Sequence, residues 1–267
     1  LDDFEEGEEE MKNFVNDTYW VFWRENKHFL RQKIRIFMML FQPIIWLTLM
    51  GNVFHKIASV PGFPASSYLN YMTAGIVVMV TLFGGIYGGM SIIWDRRLGF
   101  LQKMMAAPIS RSAVILGKML AIGTQTVIQV LIIFLVAIAM DVKFSAGLGG
   151  LVVMMFLALL LCLVFAGISL SLGSVATSHE ALIAMANFLT MPLLFTSNAM
   201  MPLEMMPDWL SQIAKFNPLT YAINPIRALF LTGWDWVAIA QGAALLVALV
   251  LLTTFLATNL FRRRVVL

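Results

Sequence analysis

Hydrophobic residues in this chain gather into six long runs, separated by segments that hold nearly all of its charge. The runs cover roughly residues 34–54, 69–93, 112–140, 147–176, 181–201 and 236–260. A helix needs about 20 apolar residues to cross a bilayer core, so each run predicts a transmembrane helix. The third and fourth are long enough to tilt or to project beyond the hydrocarbon.

Ahead of the first run, residues 18–33 predict a different element. Tyr19, Trp23 and Leu30 fall near one helical face with Trp20 close by, and Arg24, Lys27 and Arg31 fall on another. This pattern predicts an amphipathic helix lying in the membrane interface, against the plainer reading of an aromatic belt leading into a span.

Between the fifth and sixth runs, residues 198–235 are too long and too apolar for a simple loop. Pro207 before Asp208, Trp209 and Leu210 suits a first helical turn, and Trp209, Ile213 and Phe216 share a face. Asn217 and Pro218 break that helix, and Pro218 can start the next. Residues 219–231 are too short to cross, so about 202–232 predicts a re-entrant helical pair in the outer leaflet. The expected fold is an all-α membrane protein with six transmembrane helices, an N-terminal interfacial helix and this re-entrant pair.

Composition agrees. The chain is 60% hydrophobic and 12% charged, against about 25% charged in soluble domains. Its mean hydropathy is +0.84. One cysteine, Cys162, excludes an intramolecular disulfide. His28, His55 and His179 are far apart, with no cysteine or carboxylate cluster beside them, so no metal site is predicted. Residues 1–17 read as a disordered acidic tail, residues 34–260 as the membrane domain, and residues 261–267 as a basic tail.

Charge sets the orientation. With the N-terminus inside, Lys12, Arg24, Lys27, Arg31, Lys33, Arg35, Arg96, Arg97, Lys103, Arg111, Lys118 and Arg262 to Arg264 are all on the inner side. The outer side keeps Lys56, Lys143, Lys215 and Arg227, so the 18 basic residues divide 14 to 4. The positive-inside rule therefore places both termini in the cytoplasm. The net charge of +3 reflects these flanking bases and implies no nucleic-acid partner.

One polar island stands out at 95–118: Asp95, Arg96, Arg97, Leu98, Gly99, Phe100, Leu101, Gln102 and Lys103, then Pro108, Arg111 and Lys118. Lying between two spans, it must be on an aqueous face, short and helical. Lys118 is close enough to the inner face to snorkel.

Small and polar residues inside the spans give two further candidates. Gly84, Gly85, Gly88 and Gly89 form overlapping G-x-x-x-G pairs, either a tight packing seam within one subunit or one that slides during transport. Gln125 and Gln129 share a face of the third span, and Asn187 and Thr190 a face of the fifth. They read as interhelical hydrogen-bonding groups or as a sparse polar lining for an amphipathic substrate. Glu204 reads equally as a gate or as a solvated carboxylate. The scarcity of intramembrane charge argues against an ion-coupled carrier. There is no phosphate-binding G-x-x-x-x-G-K-[ST], because Gly117 and Lys118 are followed by Met119 without the upstream glycine. Neither is there a G-x-S-x-G or an H-E-x-x-H, so enzymatic chemistry has little to stand on.

The island, followed by Ala107-Pro108-Ile109-Ser110-Arg111 and Leu116-Gly117-Lys118, resembles the signature of type-2 ABC exporter permeases. Met201-Pro202-Leu203-Glu204, Pro207-Asp208-Trp209-Leu210 and Asn217-Pro218-Leu219-Thr220-Tyr221, ending in Arg227-Ala228-Leu229, is similar to the daunorubicin-resistance group. The likeness runs from about Asn16 to the C-terminus. It departs at Asn224, where the family often has an acid.

The resemblance implies a homodimer in the cell membrane, each copy resting on a separate ATP-binding subunit that holds the ATP and Mg, with no cofactor in this chain. Residues 95–106 would be the coupling helix, with Phe100, Leu101 and Met104 in a hydrophobic socket of that subunit, Gly99 in its turn, and Arg96 and Arg97 orienting it. Residues 18–33 would be the gate-connecting helix, and the re-entrant pair would cap the path. The implied cargo is an amphipathic drug, lipid or similar molecule moved outward, or alternatively a lipid-linked polysaccharide.

Overall fold

The computed structural model describes residues 2–60, 63–65, 67–107 and 109–264. Among these the chain is helical, with two short 3-10 turns and no strand. The helices are α1 (Asp2–Arg31), α2 (Lys33–Val53), α3 (Tyr68–Gly88), α4 (Met90–Arg97), α5 (Phe100–Ala106), α6 (Arg111–Ala139), α7 (Gly147–Val175), α8 (His179–Phe195), α9 (Asp208–Phe216), α10 (Pro218–Leu231) and α11 (Trp236–Arg264).

Five helical segments are long and apolar enough to cross a membrane: α2, α3 with α4 (Tyr68–Arg97), α6, α7 and α11. The fifth run forms a shorter helix than its sequence predicts. Instead of spanning 181–201, α8 ends at Phe195 after 17 residues, about 26 Å of helix. Thr196 and Ser197 turn their hydroxyls back onto the Pro192 and Leu194 carbonyls, both at 2.7 Å. The following carbonyls are taken by groups from elsewhere: Asn198 O by Tyr71 and Arg227, and Ala199 O by Arg227. Residues 196–201 thus form a gripped turn, not a last helical turn.

α7 is apolar on all sides, as a helix enclosed by others must be. It packs against α3, α6 and α11, with Met154, Leu157, Leu161 and Phe165 in the main core beside Val77 and Ile86. The four glycines of α3 and its C-cap divide between two neighbours. Gly84 and Gly88 face Thr126 and Ile122 of α6, while Gly85 and Gly89 face the Cys162 and Ser169 carbonyls of α7. A Cβ on Gly85 would sit 2.6 Å from Cys162 O. The small residues therefore let α3 wedge between two helices of its own chain.

Three boundaries differ from expectation. Residues 2–17 are helical and continue into the aromatic and basic segment as one helix, α1. Glutamate is a good helix former, and acids near a helix N-terminus complement its dipole. The expected coupling helix over 95–106 is broken: α4 carries Asp95 to Arg97 as a continuation of the span, and α5 starts afresh at Phe100. Gly99 causes the break by taking the left-handed conformation (φ 66°) that ends a helix without a Cβ penalty. Finally, α11 continues through Arg264, into the stretch expected as a tail. Leu1, Pro108 and residues 265–267 lie outside the described residues.

α9 and α10 flank Asn217, as the Asn-Pro pair predicts. Asn217 caps α10 by accepting from Leu219 N–H, and its amide donates to Leu193 O of α8 at 2.6 Å. Trp209, Ile213 and Phe216 of α9 are exposed. At the other end of the bundle, α1, the start of α6 and the end of α11 meet: Arg111 donates to Arg262 O, and Ser110 N–H to Asp17.

Candidate functional site

At that basic end, α1, α4 and α6 converge on one lysine. Lys118 has no exposed side-chain surface. Its ammonium donates to Glu25 Oε1 at 2.7 Å, Asp95 Oδ2 at 2.6 Å and Ser91 Oγ at 3.2 Å. An ammonium has three donors, so all are used. Arg24 bridges the same two carboxylates, at 2.7 Å to Asp95. Two cations and two acids thus form a closed network, which is how a charge is tolerated without water. Burial alone would raise the Glu25 carboxyl, but Lys118 and Arg24 hold it down at about 2.

Local sequence makes this possible. Ser91 and Asp95 are one turn apart on α4 and share a face. Gly117 lets α1 approach α6, since a Cβ there would lie 2.7 Å from Val21 Cβ and 2.8 Å from Thr18 O. The Gly117-Lys118 pair is thus a close contact followed by a charge. Lys118 does not snorkel, as its position suggested: the counter-charges come to it.

α5 is held against this network. Arg24 stacks on the Phe100 ring at 4.1 Å and donates to Met104 Sδ at 3.4 Å. The expected socket-filling set divides. Leu101 and Met104 are 3% and 6% exposed and pack into the chain's own core with Val21 and Val114, so they are not available to a partner. Phe100 is 38% exposed and Leu98 73%, beside exposed Arg97, Gln102 and Lys103. Arg96 faces inward and donates to the Ala176, Ser174 and Gly173 carbonyls at the end of α7, at 2.9 to 3.4 Å. The outward surface is therefore Arg97, Leu98, Phe100, Gln102 and Lys103, displayed by the turn at Gly99.

A cavity of about 470 Å³ lies between α2, α3, α6 and α8. It brings together Gln125, Gln129, Gly84 and Gly88. Gln129 also has a structural task. Pro43 in α2 has no N–H, which frees the carbonyl of Met39 four residues earlier. Gln129 Nε2 donates to that oxygen, and its buried Oε1 is left without a partner. Asn187 reaches the cavity wall indirectly, accepting from Tyr87 Oη at 2.9 Å. Thr190 is buried and bonds only within α8. Glu204 is exposed on the 3-10 turn Leu203–Met205, among neither set.

The opposite end has its own hub. Arg227 of α10 donates to Asn198 O at 2.7 Å and lies 3.8 Å from the centre of the Tyr71 ring. Asn224, where an acid was expected, accepts from Asn198 Nδ2 at 2.6 Å.

Sequence reasoning missed Glu25 and the role of Arg24. The signal was available: a lysine inside an apolar run requires a counter-charge, and Glu25 is an isolated acid in a basic segment. It also missed Pro43, whose freed Met39 carbonyl finds its donor on the distant helix α6.

These features define a multi-pass helical membrane protein with a buried charge network at one end. Residues 16–231 match the ABC-2 type transporter family, so the chain belongs to that family of transporter permeases, and membership implies an ABC-type ATP-binding partner. It is 32% identical over 218 residues to a putative transport permease (ycf38) of Cyanophora paradoxa, covering 81% of this chain and 75% of the relative. The corresponding Porphyra purpurea protein is 31% identical over 240 residues, 84% and 81% of the two chains. A daunorubicin resistance ABC transporter permease, DrrB1 of Streptomyces coeruleorubidus, is 25% identical over 218 residues, 80% and 75%.

Proposed function

We propose that this chain is the membrane subunit of an ATP-driven exporter that moves an amphipathic drug, lipid or similar molecule out of the cytoplasm or inner leaflet. Two copies pair in the cell membrane, each on an ATP-binding subunit that binds ATP and Mg. Both termini are cytoplasmic, α8 serves as a short fifth of six spans, α1 lies in the inner interface, and α9 and α10 re-enter from outside. The likeness to a daunorubicin-resistance permease supports the cargo class.

One observation carries this reading: the buried network that joins α1, α4 and α6 immediately behind an exposed α5. A soluble motor can move membrane helices only through a stiff contact. Leu98 and Phe100 supply the apolar contact, Arg97 and Lys103 orient it, and Lys118 with its two acids carries the displacement into α6. Gly84, Gly85, Gly88 and Gly89 allow the neighbouring helices to shift at close range, and Gln125 and Gln129 offer the polar part of the path.

The test is copurification and transport. The chain, expressed with its ABC-type ATPase, is expected to retain that ATPase in detergent and to export a hydrophobic dye from inverted vesicles in an ATP-dependent way. Transport that persists without ATP and follows an ion gradient would overturn the reading in favour of a secondary carrier.

A further inference from the structure

The cavity beside α2 is graded in polarity along its length. Arg35 and Trp46 lie on the same stripe of α2, eleven residues apart, which is about 17 Å of helix. Arg35 is at one end. Beyond it the walls are Met38, Met79 and Phe83, with Trp46 at the far end. Methionine walls adapt to an irregular apolar chain. The volume of about 470 Å³ is that of a site for one small ligand, one chain and not the two of a bilayer phospholipid.

Two polar groups in this cavity are open to a ligand: an exposed cation with no acid among the described residues paired to it at one end, stacked 5.6 Å from the Phe29 ring centre, and a buried amide oxygen further in. Among the described residues no carboxylate lies within 4 Å of Arg35, whose one side-chain hydrogen bond is to Gln32 Oε1 at 3.3 Å. One turn deeper, Gln129 Oε1 is buried without a donor, while its amide nitrogen is committed to Met39 O. An occupant that satisfies both carries an anion at Arg35, a hydroxyl roughly one helical turn (about 5 Å) further in, and an apolar chain beyond.

We propose that this cavity binds a single-chain lipid with a phosphate monoester head and an adjacent hydroxyl, as in a lysophosphatidic acid. The phosphate pairs with Arg35, the glycerol hydroxyl donates to Gln129 Oε1, and the acyl chain runs towards Trp46. This names a cargo class for the export reading, and rests on that reading only for what happens after binding.

The test uses the full chain in nanodiscs of zwitterionic lipid, with a lysophosphatidic acid carrying a photoreactive group mid-chain. Crosslinks are expected on α2, α3, α6 and α8. Unlabelled lysophosphatidic acid is expected to displace the probe about tenfold better than lysophosphatidylcholine of the same chain, the scale of one charge-assisted pair. Arg35 is exposed, so Arg35→Gln leaves the packing intact; it is expected to abolish that preference, and Arg35→Lys to keep most of it. Hexadecyl phosphate, which lacks the hydroxyl, is expected to compete more weakly than lysophosphatidic acid. Equal competition by the choline lipid, a preference that survives Arg35→Gln, or crosslinks confined to α11 would each overturn the site. Binding is read without ATP. A selective site whose ligand is not moved by ATP and the ATPase would defeat the export reading and leave this one standing.

Discussion

Lys118 lies 2.6 Å from Asp95, with none of its own side chain exposed. A buried ammonium beside one carboxylate would already be a pair. Glu25 adds a second acid and Arg24 a second cation, so the group is neutral as a whole. Removing one member leaves an uncompensated buried charge, which typically costs about 3–5 kcal/mol, while replacing the whole set by apolar groups can be nearly neutral.

Lys118→Met should therefore destabilise the chain by about 3–5 kcal/mol. The combined variant Lys118→Met, Asp95→Asn leaves Arg24 paired with Glu25 and should regain a large part of that loss. Thermal unfolding in detergent checks both, and equal stability of the single and double variants would refute the closed network.

Acid should loosen the same site. The Glu25 carboxyl is held at about 2 in the fold, against about 4.3 in an unfolded chain. A depressed carboxylate contributes stability that is complete above its unfolded pKa and is lost as pH falls through the folded value. The melting temperature should thus fall progressively from about pH 4.5 down to pH 2, with a smaller decline in Glu25→Gln. A wild-type curve parallel to that of Glu25→Gln would exclude the Glu25 contribution.

The outward face of α5 and the inward one should separate in their effects. Leu98→Ala with Phe100→Ala should preserve membrane abundance and cost only the Arg24–Phe100 stack, about 0.5–1 kcal/mol, but reduce ATP-dependent transport relative to ATP hydrolysis. Leu101→Ala removes a buried leucine, so it should cost about 2–5 kcal/mol and lower abundance first. Unchanged transport in the double variant at equal abundance would rule out this surface as the coupling contact.

The proline and the glutamine should be coupled. Gln129→Leu leaves Met39 O without its donor and should cost about 1–3 kcal/mol. In a Pro43→Ala background the backbone N–H returns and can take that carbonyl, so the same substitution should cost less. A double-mutant cycle in thermal stability measures the difference, and additivity would separate the two residues.

Two glycines should respond differently to alanine. Gly99→Ala meets no atom closer than Gln102 Oε1 at 3.9 Å, so its cost is the backbone alone, about 1–2 kcal/mol. At Gly89 the Cβ would press into the Ser169 backbone of α7, which cannot yield as a side chain can. Gly89→Ala should cost about 3 kcal/mol or more. Comparable losses at the two positions would contradict the wedge packing of α3.

The long helices were legible because apolar length is a local property: α2, α6 and α7 begin and end within a residue of the runs that predict them. What sequence could not give is where those helices touch. Ala199, Met200 and Met201 are apolar, yet they do not continue α8, because tertiary bonds from Tyr71 and Arg227 take the carbonyls of Asn198 and Ala199. Leu101 and Phe100 are adjacent and similar in hydrophobicity, and only the turn at Gly99 decides which faces inward. Gln125 and Gln129 were recognised as a polar face; that one of them repairs a proline in another helix depends on a register no single segment encodes.

Arg96 gives the polar island one further property. Its guanidinium takes the last carbonyls of α7, so the head of the island and the tail of the most apolar span form a single mechanical joint. Any displacement of the island would then act along the axis of α7, at the centre of the bundle instead of at its rim.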